Sequence, residues 1–450
     1  MADYTPHTPA EIEEMLSFVG LKTIEDLFAH IPAAVQVAGG LDLPAGQSEP
    51  DVAAWLGDLG ARNRQLVCFA GAGAYDHEVP PVVRALSMRS EFVTAYTPYQ
   101  PEVAQGVLQA IFEYQTMVAR LTGLPIANAS LYDGASSLVE AVNLCAASSK
   151  SPKVLVSRGV HPHWRAVLRT FAVGTGHDVT EVDLVDGHTA WPEDLSGVGS
   201  VVVAYPNVLG CLEEVAALAP RVAAAGAKLV VAVDPVLAGS LKTGGDLGAD
   251  VVIAEGQPFG TALSFGGPYL GMFAVREAEV RRLPGRLVGQ TVDTEGRTAY
   301  VTTLRTREQD IRREKATSNV CTNQTLMAVA AAVQMGWLGT AGLAEVARNS
   351  MRAGRYAREQ LAAVPGVELA NPNAVTPREF ALKLPVAAST AIDRVAEQGY
   401  LAGIDLGALC SNEVGLVDGD PSKVLLVATT ERRTKDQIDG LAVALAKAVA

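Results

Sequence analysis

The sequence predicts an α/β protein, with a large domain on a mostly parallel sheet and a small C-terminal α+β domain. Three observations carry this. Between about residues 65 and 325, short β-branched runs alternate with helical stretches, the pattern of strand–helix–strand units. Those runs are continuously apolar, as strands buried on both faces are. After residue 325 the pattern changes to a long Ala-rich helical stretch, then a shorter mixture of strands and helices. A chain of 450 residues also exceeds what one hydrophobic core holds. The expected division is residues 1–64 as N-terminal helices and arm, 65–325 as the large α/β domain, and 326–450 as connecting helix and small domain.

Taken in order, Thr8-Pro9-Ala10-Glu11 is a capping box with proline in the first turn, opening a helix that sets Ile12, Met15 and Val19 on one face. Thr23 is expected to cap a second helix carrying Ile24, Leu27 and Phe28, and the Gly- and Pro-rich residues 38–50 read as an extended linker. The expected strands of the large domain are Val154–Ser157, Val179–Val182, Val201–Ala204, Leu229–Val233, Val251–Ile253 and Gly271–Ala274. Helices are expected at Leu138–Ala147, His163–Ala172 and Glu213–Ala225. In the C-terminal part, strands are expected at Val367–Leu369, Phe380–Leu384 and Val424–Ala428. Thr434-Lys435-Asp436-Gln437 is a capping box for a final helix with Ile438, Leu441, Ala442 and Leu445 on its apolar face.

Apolar residues make up 49% of the chain and charged ones 19%, the balance of a folded rather than a disordered protein. A net charge of −13 without a basic stripe argues against nucleic acid as a partner. The five cysteines (Cys68, Cys145, Cys211, Cys321, Cys410) are scattered and never in a CxxC pair, which fits reduced thiols and neither a zinc site nor a disulfide framework. Residues 1–20 are polar and acidic, unlike a secretory signal. The apolar stretch Leu326–Leu338 is too short to span a bilayer. A soluble, cytoplasmic protein with no membrane partner is the expectation.

The feature that bears most on chemistry is an absence. No lysine occurs between Lys242 and Lys315, although the segment before and within this gap is laid out as the floor of a pyridoxal phosphate site. The strand 228–233 delivers Asp234-Pro235 at its end, where an aspartate can hold a pyridine nitrogen protonated. A second strand is followed by Glu255-Gly256-Gln257-Pro258-Phe259-Gly260, where a lysine is needed to anchor the coenzyme, and by a Gly-rich turn at Gly266-Gly267-Pro268. Tyr132-Asp133-Gly134-Ala135-Ser136-Ser137 opens a helix, and free N–H groups with two serines suit a phosphate cup. His161 follows the next strand and could sit over a coenzyme ring. Each has a plainer reading: Asp234 as the cap of its turn, Ser136 and Ser137 as ordinary helix-start residues, His161 as a satisfied loop histidine. Gly71-Ala72-Gly73 after an apolar run is a weak dinucleotide match, because Asp76 takes the third glycine position and Pro80-Pro81 stand where a helix should start. Lys242, eight residues after Asp234, is the one candidate lysine near the site for an autonomous pyridoxal enzyme, a short distance for the turn and strand needed to return beneath the ring.

The most distinctive words are Thr94-Ala95-Tyr96-Thr97-Pro98-Tyr99-Gln100-Pro101-Glu102, Asn128-Ala129-Ser130-Leu131 and Lys315-Ala316-Thr317-Ser318-Asn319-Val320-Cys321-Thr322-Asn323-Gln324. The first is a stiff aromatic segment, suited to reach into a neighbour's pocket or to pack between domains. Together these words resemble glycine decarboxylase, the P-protein of the glycine cleavage system, and the resemblance covers nearly the whole chain. In that family some organisms split one long chain into two homologous subunits, and this chain resembles the amino-terminal half, subunit 1 or α. The resemblance implies a fold-type-I pyridoxal enzyme and an α2β2 assembly. In that assembly glycine is decarboxylated and its aminomethyl group passes to the lipoyl arm of H-protein. It also implies that the anchoring lysine position corresponds to Pro258. Pyridoxal phosphate is then expected on subunit 2 (β), and Ser136, Ser137, His161 and Asp234 become relics kept for structure. Tyr96, Tyr99, Glu102, Thr317 and Asn319 are the candidates for interface and pocket wall. The alternatives are a purely structural or regulatory subunit and an autonomous enzyme using Lys242.

Overall fold

The Thr8–Glu11 capping box forms, and the helix Pro9–Phe18 starts on it. The stretch after Thr23 makes only a 3₁₀ turn, Glu25–Phe28, because Pro32 pushes the residue before it out of helical geometry. The second helix lies instead at Glu49–Ala61, starting where the stretch read as linker ends. Ser48 accepts from the Asp51 N–H, with Pro50 in the first turn. The computed structural model describes residues 7–37, 39–93, 97–411, 413 and 415–450. Its contacts divide the chain into two units, 1–64 and 65–450. Among the described residues of the first unit, Leu16 alone is buried.

In the second unit seven strands form the central sheet. They are β1 (Ile126–Ala127), β2 (Lys153–Ser157), β3 (Asp178–Val182), β4 (Ser200–Tyr205), β5 (Lys228–Val233), β6 (Val251–Glu255) and β7 (Gly271–Val275). Their order is β1-β7-β6-β5-β4-β2-β3. Strands β2 to β6 are parallel, while β7 runs antiparallel to β6 and β1 antiparallel to β7. All six expected strands are present. The reversal at β7 and the short edge strand β1 were not legible, since an apolar run carries no information about strand direction. The order turns between β2 and β4, and such a turning point opens a crevice at the carboxyl ends of the strands.

Both faces of the sheet are covered. Val201, Val203, Leu229, Val231, Val252 and Ala254 pack with Tyr114 and Val118 of the helix Gln105–Thr122 and with Ala328, Ala331 and Met335. Val202, Ala204, Val230, Ala232, Val251 and Ile253 face the helices Gly134–Ser149 and Pro162–Thr175. The alternation of partners along each strand is what a fully buried pleat requires.

The helix Thr325–Ala362 extends far past the apolar run read from the sequence and is long and apolar enough to cross a membrane by length and composition. Gly339 interrupts it with φ 60° and ψ −175°. Beyond it, a four-stranded antiparallel sheet orders Glu368–Leu369, Glu379–Lys383, Val424–Ala428 and Ile404–Asp405 side by side. The helices Ala388–Ala396 and Lys435–Val449 pack on it, the latter opened by the Thr434–Gln437 capping box. Val67–Cys68 pairs with Tyr400–Leu401, and Phe69 enters the same core.

Candidate functional site

A cavity of about 90 Å³ lies at the carboxyl ends of β2, β4, β5 and β6. Its walls include His161, Trp164, Asn207, Asp234, Glu255 and Pro258 from the large domain and Glu379 from the small sheet. The strand ends thus bring Asp234, His161 and Pro258 together as the sequence predicts. What surrounds them differs from an open coenzyme floor.

Asp234 has both oxygens engaged. Oδ1 accepts from the Val236 N–H at 3.0 Å, capping its own turn. Oδ2 accepts from Arg378 Nε at 2.6 Å and is also ion-paired to Arg378 Nη2. Arg378 is buried, 2% exposed, and lies with its guanidinium carbon 3.7 Å from the Tyr75 ring centroid. Burial opposes the charge of Arg378, but Asp234, Tyr75 and Glu379 outweigh it and hold its pKa above the ordinary value. Arg378 Nη1 lies 2.7 Å from His77 Nε2. Because arginine only donates, that nitrogen accepts, and His77 Nδ1–H donates to Glu431 at 2.6 Å. The Tyr75 hydroxyl donates to Glu379 at 2.7 Å, whose other oxygen accepts from the Ala72 N–H at 2.6 Å. Burial raises the pKa of Glu379. Asp234 therefore has its charge met by a cation of its own chain.

The helix start is also occupied. Asp133 caps Ser136 N–H at 2.6 Å, and Ser137 Oγ turns back to the Asp133 carbonyl at 2.9 Å. The Gly134 N–H donates to Glu255 at 2.9 Å. A Cβ at Gly134 would overlap the Trp164 ring, so the indole fills the space over the first turn. Glu255 also accepts from Gln257 N–H and Leu270 N–H, each at 2.9 Å. Burial pushes its pKa up to about 7 against these three donors. The Ser136 N–H and the Ser137 hydroxyl are thus both engaged within the helix start. A carboxylate at the end of β6 has taken the anion's place.

His161 Nε2–H donates to the Ala72 carbonyl at 2.9 Å, and Nδ1 accepts from the His163 N–H at 3.2 Å. Burial, with His163 and Arg165 nearby, lowers its pKa to about 4, so the imidazole is neutral and fully bonded. Lys242 is exposed and is not among the cavity walls. Among the described residues no lysine lines the cavity. The residues present do not fit pyridoxal phosphate. The cavity falls below the roughly 300 Å³ of ordinary ligand pockets, the aspartate is neutralised, and the helix start is capped.

The sequence words flagged above meet elsewhere, around Arg286. Its guanidinium donates to the Tyr99 hydroxyl, with Nε at 3.1 Å, and to the Val320 carbonyl at 3.0 Å and the Cys321 carbonyl. It pairs with Glu308 at 3.2 Å, while Arg305 lies 4.7 Å over the Tyr99 ring. Thr97 and Thr322 hydroxyls are 3.0 Å apart, and the Tyr132 hydroxyl accepts from Cys321 N–H at 3.0 Å. Residues 128–134 run from this cluster to the helix start beside the cavity. Glu102, Thr317 and Asn319 are exposed, and Tyr96 lies outside the described residues. Arg286, Arg378 and Glu255 were missed in the sequence. For Glu255 a signal existed, an acidic residue ending a wholly apolar strand; for the arginines, whose partners are far away in the chain, there was none.

The family model described as glycine cleavage system P-protein matches residues 2–445. The chain is 45% identical over 446 residues to "Probable glycine dehydrogenase (decarboxylating) subunit 1" of Moorella thermoacetica, covering 98% of each. It is 44% identical over 449 residues to the protein of that name from Geobacillus kaustophilus, covering 97% of each. A crystal structure of glycine decarboxylase (P-protein) of the glycine cleavage system, in inhibitor-bound form, superposes with a TM-score of 0.91 at 44% identity, covering 99% of this chain and 100% of that one. The cysteine desulfurase CsdA of Escherichia coli, 16% identical with a TM-score of 0.61 over 85% of this chain and 94% of that one, shares the fold. The architecture is that of the fold-type-I pyridoxal phosphate enzymes. By the span of these matches, the chain belongs to the glycine cleavage system P-protein family.

Proposed function

We propose that this chain is subunit 1 of a glycine dehydrogenase (decarboxylating), and that it works with a homologous subunit 2 that carries the anchoring lysine and the coenzyme. The observation that carries this reading is the Arg378–Asp234 pair over a cavity of about 90 Å³. Where the fold would place a coenzyme, this chain has placed its own charges. Pyridoxal phosphate, when bound in the complex, supplies the electron sink for loss of CO2 from glycine. The contribution of this chain is positional. Arg286 holds Tyr99 and the backbone at Val320 and Cys321 in one frame, as a preorganised wall against a partner requires. Tyr96, Tyr99, Glu102, Thr317 and Asn319 are the residues we assign to that wall. Glu102 is exposed and free to handle a proton or orient an amine. A cytoplasmic α2β2 assembly that passes the aminomethyl group to lipoylated H-protein completes the proposal.

One observation favours a second reading, a structural subunit that touches no reactant: the Tyr99 hydroxyl is already bonded within its own chain. Glycine-dependent exchange of labelled CO2 separates the two, measured on each subunit alone, on both together, and on the assembly carrying Tyr96→Phe, Tyr99→Phe or Glu102→Gln. The proposed wall requires no exchange from this chain alone, full exchange from the pair, and at least a tenfold loss in one or more variants with assembly intact. Unchanged exchange in all three variants would leave the structural reading.

A further inference from the structure

A second cavity, of about 370 Å³, shares no lining residue with the one described above and lies between the turn at 277–282 and the loops at 304–317. Its walls carry Arg281, Arg282, Arg307, Arg312 and Lys315. In a chain of net charge −13, five cations around one concavity need a reason. The acids nearby do not supply it. Glu279 pairs with Arg282 at 3.1 Å and also serves Lys228 at 3.3 Å. Asp310 pairs with Arg305 at 3.3 Å, outside the cavity wall. Glu308 is buried and pairs with Arg286 at 3.2 Å, leaving Arg307 only a shared interaction. Arg281, Arg312 and Lys315 have no acidic partner within 4 Å among the described residues.

Arg307 gives the independent observation. One of its guanidinium nitrogens donates to the Leu283 carbonyl, while Nε and Nη2 are buried with no acceptor. Buried donors are almost always satisfied, and an orphaned pair on a cation marks a missing anion or water. Burial, helped by the neighbouring Arg286, holds the pKa of Arg307 below its ordinary value against the pull of Glu308. Thr306 adds a hydroxyl donor at the rim.

We propose that this cavity is an anion site for a phosphate-bearing small molecule, with the guanidinium forks of Arg281, Arg282, Arg307 and Arg312 and the Lys315 ammonium as its ligands. Planar guanidinium groups bind phosphate oxygens in pairs. A single carboxylate would neutralise one cation and leave the rest, whereas a diphosphate matches the surplus. The volume lies in the range of small-molecule pockets, roughly 300–1,000 Å³.

Inorganic pyrophosphate is the probe, titrated calorimetrically into the full chain at constant ionic strength. The site predicts saturable binding of one equivalent. It also predicts at least a tenfold loss of affinity in Arg281→Gln/Arg312→Gln, whose exposed positions leave the fold intact, and no change in Arg355→Gln, an exposed arginine on the helix Thr325–Ala362. Inorganic phosphate should compete and perchlorate should not. Non-saturable heats, or an equal loss in Arg355→Gln, would overturn the assignment.

Discussion

His161 shows how a single side chain in the closed cavity senses pH. Its ring donates from Nε2 to Ala72 and accepts at Nδ1 from His163, so a second proton would break one bond and bury a charge. The folded pKa of about 4 lies below the ordinary 6.5. The unfolded chain therefore binds more protons between those values, and stability is fully present above the window and is lost as pH falls through it. The shift corresponds to roughly 3 kcal/mol at the acid end. His161→Gln should flatten this limb, read as the urea midpoint between about pH 7.5 and pH 4.5; an unchanged slope would show that another group titrates there. Glu255 works in the opposite sense, because its raised pKa of about 7 makes the folded chain hold its proton longer than the unfolded one. Its contribution weakens stability as pH rises toward 7. The two slopes overlap, so single variants are needed to separate them.

At the scale of elements, the carboxyl end of β5 and the strand Glu379–Lys383 are joined through Asp234 and Arg378. Both side chains are nearly buried, at 10% and 2% exposure. Arg378→Ala leaves a carboxylate with no counter-charge and should cost about 3–5 kcal/mol, measured by denaturant unfolding. Arg378→Met with Asp234→Asn should recover at least half of that loss, since removing both charges removes the desolvation problem. A double variant as unstable as the single would show that the pair is incidental. Elements of this kind were unequally legible. The six long strands of the large domain could be read because Val, Ile and Leu runs bounded by turns have one plausible conformation. The helix Glu49–Ala61 was not read, since Gly57 and Gly60 weaken its helical pattern and Pro50 falls at the end of the stretch read as linker. Asp234, His161 and Pro258 could be placed together because strand ends converge in a parallel sheet. Arg378 could not, because nothing in Thr376-Pro377-Arg378-Glu379 points 144 positions back along the chain.

For the whole molecule, exposed apolar side chains gather in the first unit. Met15, Phe18, Val19, Ile24, Leu27, Phe28, Trp55 and Leu56 are all exposed there, against a single buried residue among those described, Leu16. A unit with so little core does not stabilise itself, which agrees with a chain whose relatives are named as one subunit of a larger protein. The same conclusion follows from the second unit. A fold-type-I scaffold has kept its strand-end crevice, yet filled it with an ion pair, an indole and a carboxylate. The most direct test is an absorbance titration of this chain, purified free of any partner, with pyridoxal phosphate. We expect no saturable, one-equivalent aldimine band, no single lysine fixed stoichiometrically by borohydride reduction, and such a band only with the partner, fixed on the partner's chain. A saturable, reducible band of one equivalent on this chain alone would contradict the proposed division of labour.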